Sequence, residues 1–511
     1  MSESGRRWPG GHVLRLDLRS LAFMRVMFGL ALLVDSCIRW FDVTRFYSDD
    51  GVLPRAVLLE QGWNSYFFSF HMASGQPWFL GLLSALQVCF AIALILGYRT
   101  RLSTFVSWLL LISIQNRNQW ILNGGDAYAR MVLFWMIFIP WGQVWSLDAG
   151  NLKRDTRWWT AAVDEDHTTK PSFTTFAYLM QVCILYWFAA IPKSGIAWTA
   201  DYSAIDIALR AEFLASPFGV TFRETFAPYL ATLTFLVIWW EFLGPFLLLF
   251  PFDKGEVRTA AVLLFVGMHL GFETTLRIGM FPAYCVTAIL GLLPSRFWSL
   301  LPRKLVPKRG VAGKPLPPPP SKSLDVLREG AVGLLWIYVF CWNAANEGLR
   351  PSLWIPEEWK GIGYTLRFDQ RWNMFSPHPP YYDGWWVVRG VRRDSTVVNL
   401  QDPGEPLPWS KPADISGMYL NQRRRRWMME MYMGNTPKKA LLDATGRYYV
   451  RQMNWRGLSL HELVGVEFYY MNERTDWDGT EFPAERLLVH SYQAKRGLPI
   501  PKVPLDREVE K

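Results

Sequence analysis

Two patterns of apolar and polar residues divide this chain near residue 350. Before it, apolar stretches approach 20 residues, the length that spans a bilayer as a helix. They predict about nine membrane helices, at 21–41, 77–97, 102–121, 127–147, 172–193, 227–251, 258–277, 280–300 and 325–346. Pro282 separates the seventh and eighth with almost no loop. Beyond 350 the pattern turns water-soluble. Trp385–Val391, Thr396–Leu400, Tyr448–Met453, Val466–Met471 and Arg486–Tyr492 are rich in aromatic and β-branched residues and read as strands. Arg393-Asp394-Ser395 reads as a turn and Asn421–Met433 as a helix. The expected fold class is a polytopic α-helical membrane protein with a C-terminal β-rich exoplasmic domain.

The expected divisions are a cytoplasmic N-terminal segment (1–20) and an eight-helix transmembrane domain (21–300). A Pro-rich cytoplasmic linker (301–324), a ninth helix (325–346), the β-rich domain (350–500) and a tail (501–511) follow. Charge orients this arrangement. Arg6, Arg7, Arg15, Arg19, Arg99, Arg101, Lys153, Arg154, Arg157, Lys170, Lys254 and Arg258 fall on one side, with a further basic group in 303–322. The opposite loops hold only Arg45, Arg55, Arg210 and Arg223. The positive-inside rule then makes the N-terminus cytoplasmic and the C-terminal domain periplasmic or extracellular. A bacterial inner membrane suits such a chain.

Composition agrees: of 511 residues, 50% are hydrophobic and 19% charged. The net charge of +10 lies largely in short loops beside spans, so topology explains it better than nucleic acid does. All five cysteines (Cys37, Cys89, Cys183, Cys285, Cys341) fall inside apolar runs, and no metal-binding spacing exists. Neither a disulfide scaffold nor a metal site is expected.

Polar residues inside apolar spans are costly, so each is a candidate for function. Lys193 ends the fifth span, five residues before Trp198, in Tyr186-Trp187-Phe188-Ala-Ala-Ile-Pro-Lys193. A desolvated ammonium snorkels, pairs, or gives up its proton, and the neutral amine is a competent general base. His269 and Glu273 stand four apart, on one face of the seventh span, and Glu241 lies in the sixth. Asp126 lies in the third-to-fourth connection, Asn116–Arg130, which is dense in hydrogen-bonding groups. On the assumed topology Lys193, His269, Glu273 and Asp126 share one half of the bilayer and line one pocket. Simpler readings stand beside these: a snorkelling lysine, a His269–Glu273 bond, an Asp126–Arg130 ion pair, structural pairing of Arg25, Asp35 and Arg39. The run Arg423–Arg426 reads most simply as a solvated helix face, and Trp372-Asn-Met-Phe375 as ordinary core.

Several motifs recur together. They are Asp17-Leu-Arg-Ser-Leu-Ala-Phe-Met-Arg25, Phe46-Tyr-Ser-Asp-Asp-Gly-Val-Leu-Pro-Arg55, Asn123-Gly-Gly-Asp126, Trp145-Ser-Leu-Asp148 and the Tyr186–Lys193 segment. His269 also stands nine residues ahead of Ile278-Gly-Met-Phe281. In order and spacing this resembles the HTTM membrane domain shared with vitamin K-dependent γ-carboxylases, firmly over 15–300 and weakly over 365–490. The chain departs from the carboxylases at Asp126, where they have a histidine, and at Pro192, where they have a lysine.

The resemblance implies a membrane enzyme. Lys193 would be the base that deprotonates reduced vitamin K or a menaquinone-type naphthoquinol for oxygen-driven epoxidation. That reaction is coupled in the carboxylases to capture of carbon dioxide by a protein glutamate. His269 would orient the hydroquinone or handle protons, with Trp187, Trp198, Asp126, Glu241 and Glu273 lining the pocket. The implied partners are the lipid bilayer, the quinone, dioxygen, carbon dioxide and an exported peptide or protein client. The alternative is a non-enzymatic scaffold or maturation factor whose exoplasmic domain binds an exported partner.

Overall fold

The computed structural model describes residues 13–151, 163, 167–252, 255–302, 322–346, 355–380, 382–432, 436–454, 462–474, 480, 482–494 and 500–501. Arg6, Arg7, Lys153, Arg154, Arg157, Lys254, most of the Pro-rich linker and nearly all of the expected tail lie outside these residues.

A helix occupies each expected span: α1 (Leu18–Phe41), α2 (Pro77–Leu96), α3 (Thr100–Arg117), α4 (Gly124–Met136), α5 (Phe173–Ala190), α6 (Leu230–Leu248), α7 (Glu256–Thr275), α8 (Phe281–Leu290) and α9 (Lys322–Asn346). Among the described residues, five helices are long and apolar enough to cross a membrane: α1, α2, α5, the Ala227–Leu248 segment containing α6, and α7. The other four are shorter or more polar. α4 and α8, of 13 and 10 residues, fall well below the bilayer thickness. Packing links each helix from α1 to α8 with the next, and α8 returns to α1. α8 also packs across the bundle on α4, and α9 lies outside against α5.

Local chemistry sets the boundaries. Asp17 caps α1 by accepting from Arg19 N at 2.8 Å. Asn123 with Asp126 and Ser172 with Thr175 form capping boxes that start α4 and α5. Burial differs by helix. α5 is buried along nearly all its length, whereas α6 exposes Phe235, Leu236, Trp239, Phe242, Leu243 and Phe246. A face so apolar is a liability in water and ordinary in lipid. The chain is a membrane protein.

The C-terminal region carries a four-stranded antiparallel sheet of β1 (Tyr382–Arg392), β2 (Val397–Asn399), β3 (Leu463–Arg474) and β4 (Glu485–Gln493), in the order β2-β1-β3-β4. Trp386 faces Tyr470 and Gly390 faces Val466 in register. Four expected strands are present; Tyr448–Met453 is not a strand. It lies in a helix, α11 (Lys439–Asn454), preceded by α10 (Gln422–Glu430). In α11 the buried Leu441, Leu442, Thr445, Tyr448 and Tyr449 recur at helical spacing, and this stripe packs on β3 and β4. Burial of that stripe overrides the local preference of its tyrosines and valine for strand.

The Arg423–Arg426 run on α10 is not a solvated face. Arg423 reaches Asp35 and Asp126 at 2.5 and 3.0 Å, and Arg424 reaches Asp42 at 2.6 Å. Arg425 donates to the Arg277 carbonyl at 2.5 Å. Only Arg426 turns back along its own helix, to Glu430 at 3.1 Å. Three arginines therefore fasten the C-terminal region to acids and a carbonyl of the helical bundle.

Candidate functional site

α5 ends at Ala190, and Pro192, which has no N–H, follows directly. This releases the chain into a tight connection and then a short helix, Ile196–Thr199. The connection places Lys193 between α6 and the Trp198 ring. Lys193 Nζ bonds to Glu241 Oε2 and lies 4.5 Å from the Trp198 ring centroid. Both side chains are dry, at 4% and 8% exposure. Sequence reading expected a neutral amine standing in an aromatic pocket. The tertiary structure supplies a carboxylate as well, because α6 packs on α5 and turns Glu241 inward. A lone lysine and a lone glutamate in consecutive apolar spans were a usable signal of this pairing.

His269 belongs to the same three-helix interface. Its Nε2 is 2.9 Å from Tyr186 Oη on α5, and the imidazole lies 5.8 Å from the rings of both Phe272 and Phe281. The Tyr186 ring stacks on Phe265 at 4.1 Å, and Trp240, next to Glu241, reaches the same Phe265 at 4.8 Å. Phe265 thus links the Tyr186–His269 couple to α6 at Trp240, the residue beside Glu241. His269 Nδ1, Trp240 Nε1 and Tyr128 Oη are buried without a hydrogen-bond partner among the described residues. Such atoms have hydrogen-bonding capacity left for a water or another bound group.

The other expected pocket residues divide. Trp187 donates to the Phe242 carbonyl at 3.1 Å and packs on Phe246, forming a wall between α5 and α6. Glu273 is exposed and does not join His269, whose ring bonds Tyr186 instead. Asp126 belongs to a separate cluster, bonded to Arg39 and Arg423, with Asp35 beside it. The structural reading of Asp35 and Arg39 agrees with this. Arg130 turns away from Asp126 to the Arg367 carbonyl at 2.8 Å and Gln115 at 3.2 Å.

One further cluster escaped sequence reading. Glu212, from the α5–α6 connection, meets Asp383 of β1 and Glu473 of β3, with carboxylate oxygens within 4.8 Å of one another. Lys411 bridges Glu212 and Glu473 at 3.0 and 2.8 Å. Asp383 accepts from the backbone N–H groups of Glu212 at 2.5 Å, Phe213 at 3.3 Å and Gly384 at 2.6 Å. Burial pushes its carboxyl up to about 7, against the opposing pull of these backbone donors. Acids 90 to 261 positions apart leave no local signature.

Residues 15–298 match the HTTM domain, more than half of the chain. No curated protein and no solved structure matches it.

Proposed function

The chain belongs to the HTTM domain family, and from that premise we propose an integral membrane enzyme of the vitamin K-dependent carboxylase-like kind, acting on a naphthohydroquinone. The HTTM domain is associated with vitamin K-dependent carboxylase-like membrane proteins. The observation that carries the reading is the buried Lys193–Glu241 pair under Trp198, linked through Trp240 and Phe265 to the Tyr186–His269 couple.

The residues suit the substrate. A flat aromatic ring with oxygens at its edge matches an interior of stacked aromatics whose unpartnered polar atoms are His269 Nδ1, Trp240 Nε1 and Tyr128 Oη. Reduced vitamin K or a menaquinone-type naphthoquinol supplies, when bound, the electrons that dioxygen takes up. Glu241 Oε2 receives the proton carried by Lys193 Nζ, which leaves an amine able to accept a proton from a phenolic hydroxyl. Tyr186 fixes the His269 ring through Nε2 and leaves Nδ1 for the substrate. Trp187 and Trp198 act as walls. Coupling to carboxylation of a protein glutamate adds carbon dioxide and an exported client to this scheme, with the C-terminal region on the periplasmic or extracellular side.

Purified protein given a reduced naphthoquinone under oxygen is expected to form the epoxide, and Lys193→Ala to stop it. A wild type inert toward several naphthoquinols, with and without peptide and carbon dioxide, overturns the reading.

A further inference from the structure

The segment Trp372–His378, which leads into β1, runs against the Gly195–Trp198 turn that directly follows Lys193. Trp372 is fully buried with its ring 6.0 Å from that of Tyr128, and Met374 lies against Gly124 at the start of α4. Two backbone carbonyls then reach the Lys193 connection. Phe375 O accepts from Trp198 Nε1 at 2.9 Å, and Pro377 O accepts from Gly195 N at 3.2 Å. The Phe375 ring packs into the small apolar cluster of Ala197, Trp198, Ala204 and Ile207. The approach is so close that any side chain at Gly195 would collide with the His378 ring and the Pro377 carbonyl.

Trp198 is therefore held from two sides. Its N–H is bonded to the strap, and its ring face covers the Lys193 ammonium. An indole anchored at its nitrogen cannot swing away from the cation, and the cation is kept against Glu241 and out of water. We propose that Phe375–His378 is a positioning strap through which the C-terminal region sets the geometry and solvent access of Lys193. The inference rests on Lys193 as the reactive amine, but its test reads that amine directly and needs no turnover. The strap would couple displacement of the C-terminal region to the buried pair without any of its side chains touching substrate.

The experiment is competitive acetylation of the full-length protein in nanodiscs, read by mass spectrometry across alkaline pH, with exposed Lys439 as internal reference. In the wild type Lys193 is expected to label far more slowly than Lys439. Phe375→Ala and Gly195→Val, which loosen or displace the strap, should speed Lys193 labelling about tenfold or more, as loss of local protection does, and change its pH profile. Trp198→Phe, which keeps a ring face but loses the N–H bond, should fall between wild type and Trp198→Ala. Buried Cys183 and Cys285 report global opening through a thiol reagent and should stay protected in every variant. If Gly195→Val does not fold, Phe375→Ala alone decides. Unchanged Lys193 labelling in the folded strap variants, or labelling that rises only together with the two cysteines, overturns the proposal. A wild type that forms no epoxide, while Lys193 labelling still responds to the strap variants as expected, would instead count against the enzymatic reading and leave the strap intact.

Discussion

Arg423 places a guanidinium nitrogen 2.5 Å from Asp35, a residue 388 positions earlier in the chain. Both side chains are nearly dry, at 6% and 2% exposure, and Arg39 and Asp126 complete a cluster of two cations and two anions. This alternation offsets the cost of burying each charge, and it pins α10 to the ends of α1 and α4.

Removing one member should be severe. Arg423→Ala leaves two buried carboxylates facing a single cation, and breaking a buried pair costs about 3–5 kcal/mol. Arg426→Ala, at a half-exposed intrahelical pair, should cost about 0.5 kcal/mol or less. Thermal unfolding of the purified variants checks this. Equal stability in the two would mean that the cluster contributes nothing to docking.

The proton route through Glu241 has its own signature. Glu241→Gln keeps a hydrogen-bond acceptor for Lys193 but cannot take up its proton. Epoxide formation should fall by about 10²–10⁴, the usual contribution of a positioned acid or base, with the fold retained. Lys193→Ala should fall at least as far. A protein whose biological role survives Lys193→Ala unchanged would fit the scaffold alternative instead.

Tyr186→Phe isolates one bond. The ring still stacks on Phe265, so packing is preserved, but His269 Nε2 loses its partner. A stability loss of about 1 kcal/mol is expected. The rate should fall too, because the imidazole is free to rotate. A stability loss without any change in rate would confine Tyr186 to structure.

Asp383 predicts a pH dependence. Its folded value, about 7, lies above the ordinary 3.8, so the folded state binds the extra proton between those values. Its stabilisation is complete below about 4 and is lost as pH rises through about 7. The wild type should therefore lose stability between about pH 4 and 7 relative to Asp383→Asn, which does not titrate. Unfolding midpoints of both proteins across that range test the sign. Parallel curves would show that the carboxylate titrates normally.

The long periodic stretches made most of the helices readable, and so did the residues that broke them. Lys193, Glu241 and His269 stood out because charge and imidazole are costly in apolar spans, and they do converge. Asp126 and Glu273 stood out for the same reason and went elsewhere, one to an ionic cluster and one to the surface. Distance in the bilayer does not fix direction around a helix axis. The strand expectation at Tyr448–Met453 failed because local preference is weaker than burial of a helical stripe.

Sequence alone marked the apolar segments that form the helices of a membrane protein, since the cost of exposing apolar side chains to water accumulates over each contiguous run of about 20 residues. It also marked the polar residues that such runs tolerate only for a reason. Tertiary structure alone decided their partners: Glu241 for Lys193, Tyr186 for His269, Asp35 and Asp126 for Arg423. Those choices depend on the rotation and packing of segments 48 to 388 residues apart in the chain. Coulomb and hydrogen-bond energies select among them only once the chain has folded.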